Sequence, residues 1–395
     1  MEVQEIVIVG GGICGLAMAL GLHRKGVKSL VLERSESLRA SGTTIILRAN
    51  GWRALDYLGV SSGLRNRGLL LSGLREIQVD TNKVSERPLG KGEARCLRRS
   101  DLIEALAEEL PEGTIRFGSR VLSVTADPTD KSHMLQLSNG KVLKARVLIG
   151  CDGVNSVLLN YLCMNPIRVT KTSSIRGLTS YPDGHPFGNH FLMTKRGEIT
   201  LGTIPVSDNL VYWFLLHNWT SKDDEISKDQ ELIKIHGLKY IEGFPEKVVE
   251  MVKNSDPSTL YNKQFKYRAP WEIFLSSCRK GTATVSGDAL HAMTPFNGQG
   301  GAASLEDAVV LARALAARII AGGVGSHIST SKYEEALAAY VKERRMRVLS
   351  LCTLSYTLNT LREGPSMAVR LLCTLLMTVF FKDRLAHSSF DCGSL

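Results

Sequence analysis

Residues 5–33 read EIVIVGGGICGLAMALGLHRKGVKSLVLE. An apolar strand pattern turns through Gly10, Gly12 and Gly15 in a G-x-G-x-x-G spacing, continues as a helix, and returns as a second strand that ends at Glu33. The first glycine makes the turn, the second admits a pyrophosphate, and the third lets helix and strand pack closely. A carboxylate at the end of the second strand can accept hydrogen bonds from an adenosine ribose. The stretch predicts a Rossmann-like unit that binds an ADP-containing dinucleotide.

The composition is typical of a globular protein with two to three domains. The chain has 395 residues, of which 44% are hydrophobic, so we expect large buried cores. The net charge is +10, but the basic residues are dispersed and only 6% of residues are aromatic. A nucleic-acid surface is therefore not indicated, and anionic small ligands fit better.

The cysteines indicate a reducing compartment. The eight cysteines show no CxxC spacing and no pairing with histidine of the kind that binds metal, so we expect no metal site. The first strand begins by Glu5, which leaves no room for a cleavable leader. These features predict a cytoplasmic location.

Two later stretches place an acidic residue at the end of a strand. Residues 149–156 read IGCDGVNS and put Asp152 in an Asp-Gly turn, and residues 283–301 read ATVSGDALHAMTPFNGQGG and put Asp288 after a short strand. Open α/β sheets bind ligands at the carboxyl ends of their strands. Both acids are therefore candidates for ligand binding, although an Asp-Gly turn alone is common.

The second of these stretches continues as a glycine-rich loop that leads into a helix pattern near Ala302. Pro295 stiffens the loop, and Gly298, Gly300 and Gly301 would let its backbone pass close to a flat ligand. The helix N-terminus would favour a ligand that becomes anionic, such as a reduced isoalloxazine. The alternative is a loop that only turns a strand into a helix.

Two arginines precede helix patterns. Arg48 follows the apolar run 45–47, where its guanidinium could reach a phosphate or a flavin edge, although a solvated surface position would suit it equally. Arg99 comes before a helix whose start resembles a capping box made by Asp101 and Glu104.

The remaining chain predicts a sheet and a helical tail. Residues 164–278 alternate like strands around a polar helical insert. Residues 348–361 and 367–381 form two apolar helix patterns separated by REGP, and the run LLCTLLMTVFF at 371–381 is too short to span a bilayer. We interpret them as a helical cap, with contact to a membrane surface as the alternative. Four side chains of the strand region are candidates for a pocket wall, with core packing as the alternative, namely Met193, Tyr212, Phe214 and His217.

Taken together, the three motifs resemble those of the single-component flavoprotein monooxygenases of the para-hydroxybenzoate hydroxylase type, across roughly residues 5–350. The plant members described as salicylate-hydroxylase-like or zeaxanthin-epoxidase-like are the most similar. The resemblance implies a mixed α/β fold with a Rossmann-like FAD-binding domain, an inserted β-sheet substrate domain and a C-terminal helical segment. The implied boundaries are 1–70, 96–163 and 279–345 for the FAD-binding domain, 164–278 with strands from 71–95 for the substrate domain, and 346–395 for the cap.

The resemblance also implies roles for single residues. Glu33 would bind the adenosine ribose of FAD, Asp152 would belong to a motif shared by FAD and NAD(P)H binding, and Asp288 would hold the ribityl and pyrophosphate region. The implied cofactor-binding set is Gly10, Gly12, Gly15, Glu33, Arg34, Arg48, Arg99, Asp152, Asp288, Pro295, Gly298, Gly300 and Gly301.

Some positions match the family less well than others. The segment Tyr340 to Arg347 is similar to the family's Y-x-x-x-R-x-x-R helix. The family usually has an arginine shortly after Ser156, where this chain has VLLN, which puts its use of NAD(P)H in doubt. Ala302 stands where many relatives have an asparagine, and Leu290 replaces a small residue.

The activity implied by the resemblance is that of an FAD-dependent monooxygenase. It would consume NADPH or NADH and insert one oxygen atom from O2 into a small aromatic, terpenoid or alkaloid-like substrate through a C4a-peroxyflavin. No protein nucleophile is required, so no residue is assigned a catalytic role beyond Pro295 and Arg48 near the flavin. The alternatives are a flavoprotein reductase or dehydrogenase, a flavin-binding protein without turnover, and a halogenase, although no W-x-W-x-I-P segment is present.

Overall fold

The computed structural model describes residues 2–38, 44–320, 329–364, 366–383 and 385–395. Pro365, which lies in the predicted break between the two tail helices, is outside the described residues. The strands are β1 Glu2–Val9, β2 Leu30–Leu32, β3 Thr44–Leu47, β4 Leu69–Leu70, β5 Gly73–Gln78, β6 Lys83–Arg87, β7 Arg95–Arg98, β8 Ile115–Arg116, β9 Val121–Ala126, β10 His133–Leu137, β11 Val142–Gly150, β12 Arg168–Ser180, β13 His190–Arg196, β14 Ile199–Ser207, β15 Leu210–Asn218, β16 Tyr261–Tyr267, β17 Arg279–Lys280 and β18 Ala283–Val285.

Helices connect these strands and form the C-terminal part of the chain. They are α1 Ile13–Arg24, α2 Ala49–Leu58, α3 Ser61–Arg67, α4 Arg99–Glu108, α5 Leu158–Tyr161, α6 Asp223–Ile226, α7 Gln230–Tyr240, α8 Glu246–Lys253, α9 Pro270–Leu275, α10 Asp288–His291, α11 Gly300–Ile320, α12 Thr330–Arg362 and α13 Met367–Phe380. Short 3-10 turns occur at Gly153–Asn155, Pro257–Thr259, Pro295–Asn297 and Ala386–Ser389.

The first sheet is mainly parallel and carries the three sequence motifs. Its strands lie in the order β17-β18-β11-β1-β2-β8, and β10 and β9 extend it from β11. Ile6 and Ile8 pack on one face with α1 and α11, whereas Val7 and Val9 pack on the other. A parallel strand segment that is covered on both faces is apolar throughout, which explains why residues 6–9 of β1 show no alternation. The predicted fold class, with a Rossmann-like domain, is confirmed.

The second sheet is mostly antiparallel, in the order β16-β12-β15-β14-β13-β5-β6. The hairpin β5–β6 leaves the first part of the chain to join it, in parallel with β13. Its two faces have different neighbours. The helix face packs against α7 and α8 and includes Ile175, Trp213 and Leu215. The opposite face, called the site face below, includes Met193, Tyr212 and Phe214.

A small third sheet, β3-β7-β4, packs against the site face. Ile46 of β3 and Cys96 of β7 share one apolar cluster with Ile204 and Tyr212 of the second sheet. Because Arg48 directly follows β3, this small sheet positions the arginine between the two larger sheets.

Two details of the sequence interpretation are wrong. Helix α4 begins at Arg99, so Asp101 lies in the first turn and makes no capping hydrogen bond. Residues 348–361 are not a separate helix, because α12 runs unbroken over 33 residues and crosses the predicted boundary at 345/346. The change to apolar composition suggested a new element, but no glycine or proline occurs between residues 329 and 363 to end the helix.

The last residues fold back onto the first sheet's helices. Arg53 of α2 donates to the carbonyl oxygens of Ser389 and Phe390 at 3.1 and 2.9 Å, and Arg313 of α11 donates to that of Cys392 at 3.0 Å. Over the described ranges, no helix has both the length and the apolar character needed to cross a bilayer.

Candidate active site

Four consecutive parallel strands of the first sheet end at the sequence motifs. Strands β18, β11, β1 and β2 are neighbours in that order. They lead into Asp288, Asp152, Gly10 and Glu33, respectively. Motifs that are far apart in the chain therefore meet at one edge of the sheet, which is the edge where α/β folds bind ligands.

The glycine turn after β1 has the shape that a phosphate group needs. Gly10 has φ +108°, and a Cβ there would lie 2.6 Å from the carbonyl oxygen of Cys151. A Cβ on Gly15 would lie 1.9 Å from the carbonyl oxygen of Gly10, so close packing requires glycine there. A Cβ on Gly12 would meet no atom within 4 Å. The helix start thus presents open backbone to a ligand, and Gly12 supplies no side-chain cap.

Glu33 is buried beside this turn. Its Oε2 accepts a hydrogen bond from the Gly11 amide at 2.7 Å, and its Oε1 accepts one from the Ser35 amide at 2.9 Å. These bonds fix the carboxylate against the glycine turn. Arg34 is exposed next to it, and its charge acts on the carboxylate of Asp152.

Asp152 has one oxygen satisfied and one without a partner. Its Oδ2 accepts from the Val157 amide at 2.9 Å, whereas its Oδ1 is buried and has no hydrogen-bond partner within the described part of the chain. Burial raises the pKa of this carboxyl above its ordinary value of 3.8, an effect that hydrogen bonds to Ser156 and Val157 only partly oppose. An orphaned acceptor next to the glycine turn suits a hydroxyl or amine donor on a cofactor.

Asp288 lies close to the N-terminus of α11. Its side chain is exposed, and its Oδ1 is 3.8 Å from the position of a Cβ on Gly300. The helix begins at Gly300, so Gly300 and Gly301 are its first residues and not part of the preceding loop. A Cβ on Gly287 would lie 2.9 Å from Sγ of Cys14, which packs this motif closely against α1.

Residues 295–301, called the shelf below, hold Arg48. Its Nη1 donates to the carbonyl oxygen of Asn297 at 3.1 Å, and its Nη2 is 3.3 Å from the position of a Cβ on Gly298. Its buried Nε has no partner within the described residues, and burial lowers the pKa of the guanidinium to about 10. Pro295 and Gly298 themselves are exposed. Arg48 is therefore a cation held against the shelf and not a solvated surface residue.

Arg99 is the first residue of α4, directly after strand β7 of the small sheet. It is exposed and follows Arg98, which pairs with Thr44 at the start of the strand that leads to Arg48. It makes no hydrogen bond or ion pair within the ranges that the structure describes. Of the predicted arginines, only Arg48 is in contact with the shelf.

The predicted pocket residues divide between the two faces of the second sheet. Met193, Tyr212 and Phe214 share the apolar cluster of the site face. His217 belongs to the helix face, where its Nε2 lies 3.1 Å from Ser173 Oγ and 3.0 Å from Asn262 Oδ1. The prediction that His217 lines the pocket is therefore wrong. Side chains at even and odd positions of one strand point to opposite faces, so His217 cannot share the face of Tyr212 and Phe214.

The site face touches the shelf through two phenylalanines that the sequence did not single out. The rings of Phe265 on β16 and Phe296 on the shelf lie edge to face, with centroids 5.7 Å apart. This contact brings the second sheet against the shelf.

A buried charge network lies behind the shelf and was also missed. It joins α11, α12 and the third motif. Arg344 Nε donates to Asp307 Oδ1 at 2.7 Å, and Arg344 Nη2 donates to Glu306 Oε2 at 2.8 Å. His291 Nε2 is 2.8 Å from Asp307 Oδ2, and Arg347 Nη2 donates to Glu306 Oε1 at 2.8 Å. The sequence feature that could have revealed this network is the pair of adjacent acids, Glu306 and Asp307, within the otherwise apolar pattern of α11. In the structure both acids face the Y-x-x-x-R-x-x-R segment.

Electrostatics keep this network ionised despite its burial. Burial alone would raise the pKa of Glu306, but Arg344 and Arg347 bring it below its ordinary value. Burial acts in the same direction on Asp307, where His291 and Arg344 hold the pKa well below its usual range. The network fixes the helix whose N-terminus faces the shelf.

Comparison with known proteins agrees with this geometry. The chain matches the family described as FAD binding domain over residues 3–352. It is 44% identical over 399 residues to Monooxygenase 1 of Arabidopsis thaliana, covering all of both chains. It is 38% identical over 402 residues to Monooxygenase 2 of the same organism, covering 99% of this chain and 98% of that one.

A solved structure shares the fold. Klebsiella pneumoniae HpxO complexed with FAD and uric acid superposes with a TM-score of 0.81 at 20% identity, covering 98% of this chain and 96% of that one. The glycine turn, the orphaned acceptor of Asp152 and the shelf all suit FAD. The chain belongs to the single-component FAD-dependent monooxygenases of the para-hydroxybenzoate hydroxylase type, and FAD is its cofactor.

Proposed function

We propose that this monooxygenase takes electrons from NADPH or NADH and inserts one oxygen atom from O2 into a small aromatic, terpenoid or alkaloid-like molecule. The observation that carries the proposal is the contact between the site face and the shelf at Phe265 and Phe296. A substrate between these surfaces would have the isoalloxazine on one side and apolar side chains on the other. Such a site excludes water from a reaction that water would divert.

The residues that would hold FAD lie along the edge of the first sheet where its parallel strands end. The glycine turn and the start of α1 would take the pyrophosphate, and Glu33 the adenosine ribose. Asp152 and Asp288 would accept hydrogen bonds from the cofactor's hydroxyls. The shelf, Arg48 and the N-terminus of α11 would surround the isoalloxazine with positive charge, which favours its anionic reduced form.

FAD supplies the redox and oxygen chemistry when it is bound. The chain would position the substrate and exclude water from the site. Met193, Tyr212 and Phe214 would form the apolar wall over the substrate. No nucleophilic side chain is needed, so the absence of a triad in the sequence is compatible with the activity.

The electron donor would bind without a Rossmann unit of its own. The sequence holds one G-x-G-x-x-G fingerprint between two strands, which FAD would take, so NAD(P)H would bind transiently. The family's arginine after Ser156 is replaced by VLLN, in which Leu158 and Leu159 are buried. This observation favours a second candidate function, a flavoprotein reductase or dehydrogenase that does not use oxygen productively.

Oxygen uptake tests these candidates. The purified FAD-loaded protein is mixed with NADPH or NADH in an oxygen electrode and screened against small aromatic and terpenoid compounds. We expect some compounds to accelerate both NAD(P)H oxidation and oxygen uptake without equivalent release of hydrogen peroxide. Oxidation of NAD(P)H that reduces dyes but consumes no oxygen would support the reductase, and no oxidation at all would indicate a flavin-binding protein without turnover.

We further propose peripheral contact with a membrane surface through α13. Most of this helix is exposed and apolar, including Leu371, Leu372 and Leu375, and only Cys373 and Met377 are buried. Exposed cations, Arg370 within the helix and Lys382 beyond it, would meet anionic headgroups. A helix of this kind lies in the interface and does not cross the bilayer.

Vesicle co-sedimentation tests this contact. Phosphatidylcholine vesicles with added phosphatidylserine should bind the wild type, and Leu371→Asp with Leu375→Asp should abolish binding. Leu232→Asp, an exposed leucine on α7, is the matched control and should bind like the wild type. Equal binding of all three proteins would contradict a role for α13.

For location we propose the cytoplasm. All eight cysteines are free, and seven of them are buried, including Cys14 and Cys151, whose sulfur atoms are 3.5 Å apart. Free thiols at this density suit a reducing compartment.

A further inference from the structure

We propose that His217, Asp223 and His236 bind a divalent metal ion of the zinc type, at a site separate from the flavin. The three residues belong to β15, α6 and α7, respectively, on the helix face of the second sheet. An ion there would tie the two helices to the sheet. The prediction that the chain has no metal site considered cysteines paired with histidine, and this cluster contains no cysteine.

The ligand atoms have the spacing that a metal ion requires. Nδ1 of His217 lies 4.0 Å from Asp223 Oδ1, and Nε2 of His236 lies 3.5 Å from the same oxygen. One possible ligand atom of each residue lies within 4.8 Å of the other two. Ligands at about 2.0–2.1 Å from a tetrahedral zinc ion are roughly 3.3–3.4 Å apart, so small side-chain rotations would close the cluster around an ion. Two imidazoles and a carboxylate are also a ligand set that zinc accepts.

The hydrogen bonds of His217 leave a lone pair on the nitrogen that faces this cluster. Its Nε2 lies 3.0 Å from Asn262 Oδ1 and 3.1 Å from Ser173 Oγ. Asn262 donates its amide nitrogen to Asp223 Oδ1 at 2.8 Å, which directs its oxygen toward Nε2. Ser173 donates its hydroxyl to the carbonyl oxygen of His217 at 3.0 Å. Both neighbours of Nε2 therefore accept, so Nε2 carries the proton and Nδ1 of the neutral ring has the lone pair. Histidines that bind metals are oriented in the same way, by a hydrogen bond from the second ring nitrogen.

Nδ1 of His217 faces oxygen atoms that cannot donate to it. The carbonyl oxygen of Asn218 lies 3.1 Å away and Asp223 Oδ1 lies 4.0 Å away. A lone pair that faces two acceptors requires a cation, either an additional proton or a metal ion. His236 favours the metal ion, because its Nε2 is buried and makes no hydrogen bond within the part of the chain that the structure describes. A proton on His217 would leave that nitrogen unused, whereas a metal ion would bind all three residues.

Asp223 and His236 have the protonation states that a metal ion needs. Asp223 is buried, and its Oδ2 accepts hydrogen bonds from the amide and the hydroxyl of Thr220 at 2.8 and 2.7 Å. Burial acts to raise the pKa of this carboxyl, but the bonds from Thr220 help to hold it below the ordinary 3.8, so the carboxylate is ionised. Burial lowers the pKa of His236 below its ordinary 6.5, so its imidazole is neutral at neutral pH. Ionised carboxylates and neutral imidazoles are the forms that bind metals.

Zinc binding to the FAD-loaded protein tests the proposal. The protein is treated with EDTA, exchanged into metal-free buffer at neutral pH and titrated with zinc chloride, and bound zinc is measured by calorimetry and by metal analysis after dialysis. We expect one zinc ion per chain. His236→Gln should weaken binding by about 100-fold or more, because even the residues that orient a metal ligand contribute about 10–100-fold to affinity. His236→Cys, which restores a ligand, should bind zinc more tightly than His236→Gln. Zinc should raise the Tm of the wild type but not that of His236→Gln.

His190→Gln is the matched control. His190 lies on β13 of the same sheet, and its side chain is 24% exposed, close to the 21% of His236. This variant should bind zinc like the wild type, and the FAD content of each variant shows that it is folded. Equal affinity of the wild type and His236→Gln, or weak uptake at several sites by all the proteins, would contradict the site. If the wild type binds no zinc, the cation beside His217 is a proton and the proposal fails. Because no NAD(P)H or oxygen is used, the result does not depend on the proposed function.

Discussion

At the scale of single residues, acids with similar sequence contexts have different surroundings. Asp152 and Asp288 both follow a strand, as the sequence indicated, but Asp152 is half-buried with a buried, orphaned oxygen whereas Asp288 is exposed. Strand-end position was predictable from local pattern. Exposure was not, because it depends on which helix N-terminus and which loop pack against each strand end.

Asp288 provides a direct test of the cofactor assignment. If its carboxylate accepts from FAD, affinity for FAD should fall in the order wild type, Asp288→Asn, Asp288→Ala, with a loss of about 1–3 kcal/mol for alanine. The side chain is exposed in the absence of ligand, so the apoprotein Tm should not change. Measurement of FAD affinity by flavin fluorescence decides the matter. Equal affinity of all three proteins would mean that Asp288 does not contact the cofactor.

Asp152 should reveal its burial in the pH dependence of apoprotein stability. Because its folded pKa is raised above the ordinary 3.8, ionisation is less favourable in the folded state, and stability is lost as the pH rises above that value. Asp152→Asn removes this effect. The free energy of unfolding of the variant minus that of the wild type should therefore increase between pH 4 and pH 7, as measured by urea denaturation. A difference that is constant or decreasing would contradict the burial argument.

At the scale of elements, motif spacing and strand geometry were more reliable than composition. The unit from β1 to β2 was predictable because an apolar strand, a glycine spacing, a helix pattern and an acid at the end of a strand occur together, and β15 was predictable because it begins with a continuous apolar run. The alternating direction of side chains along a strand, applied strictly, would also have excluded His217 from the face of Tyr212. The prediction of a separate helix at 348–361 was wrong because a helix continues through a change in composition when no residue breaks it. The residues that pack against the two halves of α12 lie elsewhere in the chain.

The helix pair α11 and α12 depends on the buried charge network. Arg344→Gln leaves Glu306 and Asp307 buried without their shared guanidinium, which should cost about 3–5 kcal/mol of unfolding free energy. Arg75→Gln, which breaks an exposed pair, should cost no more than about 1 kcal/mol. Urea denaturation of both apoproteins at neutral pH measures the contrast. Similar small losses in the two variants would show that the network does not hold the helices.

At the scale of the whole molecule, the site forms only when separate parts of the chain meet. The cofactor edge was predictable, since parallel strands bring their carboxyl ends together. The contact between Phe265 and Phe296 was not, because it depends on how the second sheet is placed over the first. The return of the C-terminus to α2 and α11 likewise left no local signal in the sequence.

The returning C-terminus should stabilise the FAD-binding part of the molecule. The guanidinium carbon of Arg347 lies 4.2 Å from the ring centroid of Phe390. His387 Nε2 lies 3.0 Å from Nη1 of Arg48, the arginine that contacts the shelf. Deletion of residues 386–395 removes these contacts and the acceptors of Arg53 and Arg313. We expect the apoprotein Tm to fall by about 5–10 °C and FAD affinity to decrease. A truncated protein with wild-type Tm and FAD affinity would show that the segment is dispensable.

Isotope labelling can show whether one oxygen atom is transferred from O2 to a molecule held between the shelf and the site face. The compound that best stimulates oxygen uptake is converted under oxygen-18 gas with NADPH, and the product is analysed by mass spectrometry. We expect one oxygen-18 atom in each product molecule, with the second atom released as water. A product without label, or oxygen recovered entirely as hydrogen peroxide while the compound is unchanged, would contradict it.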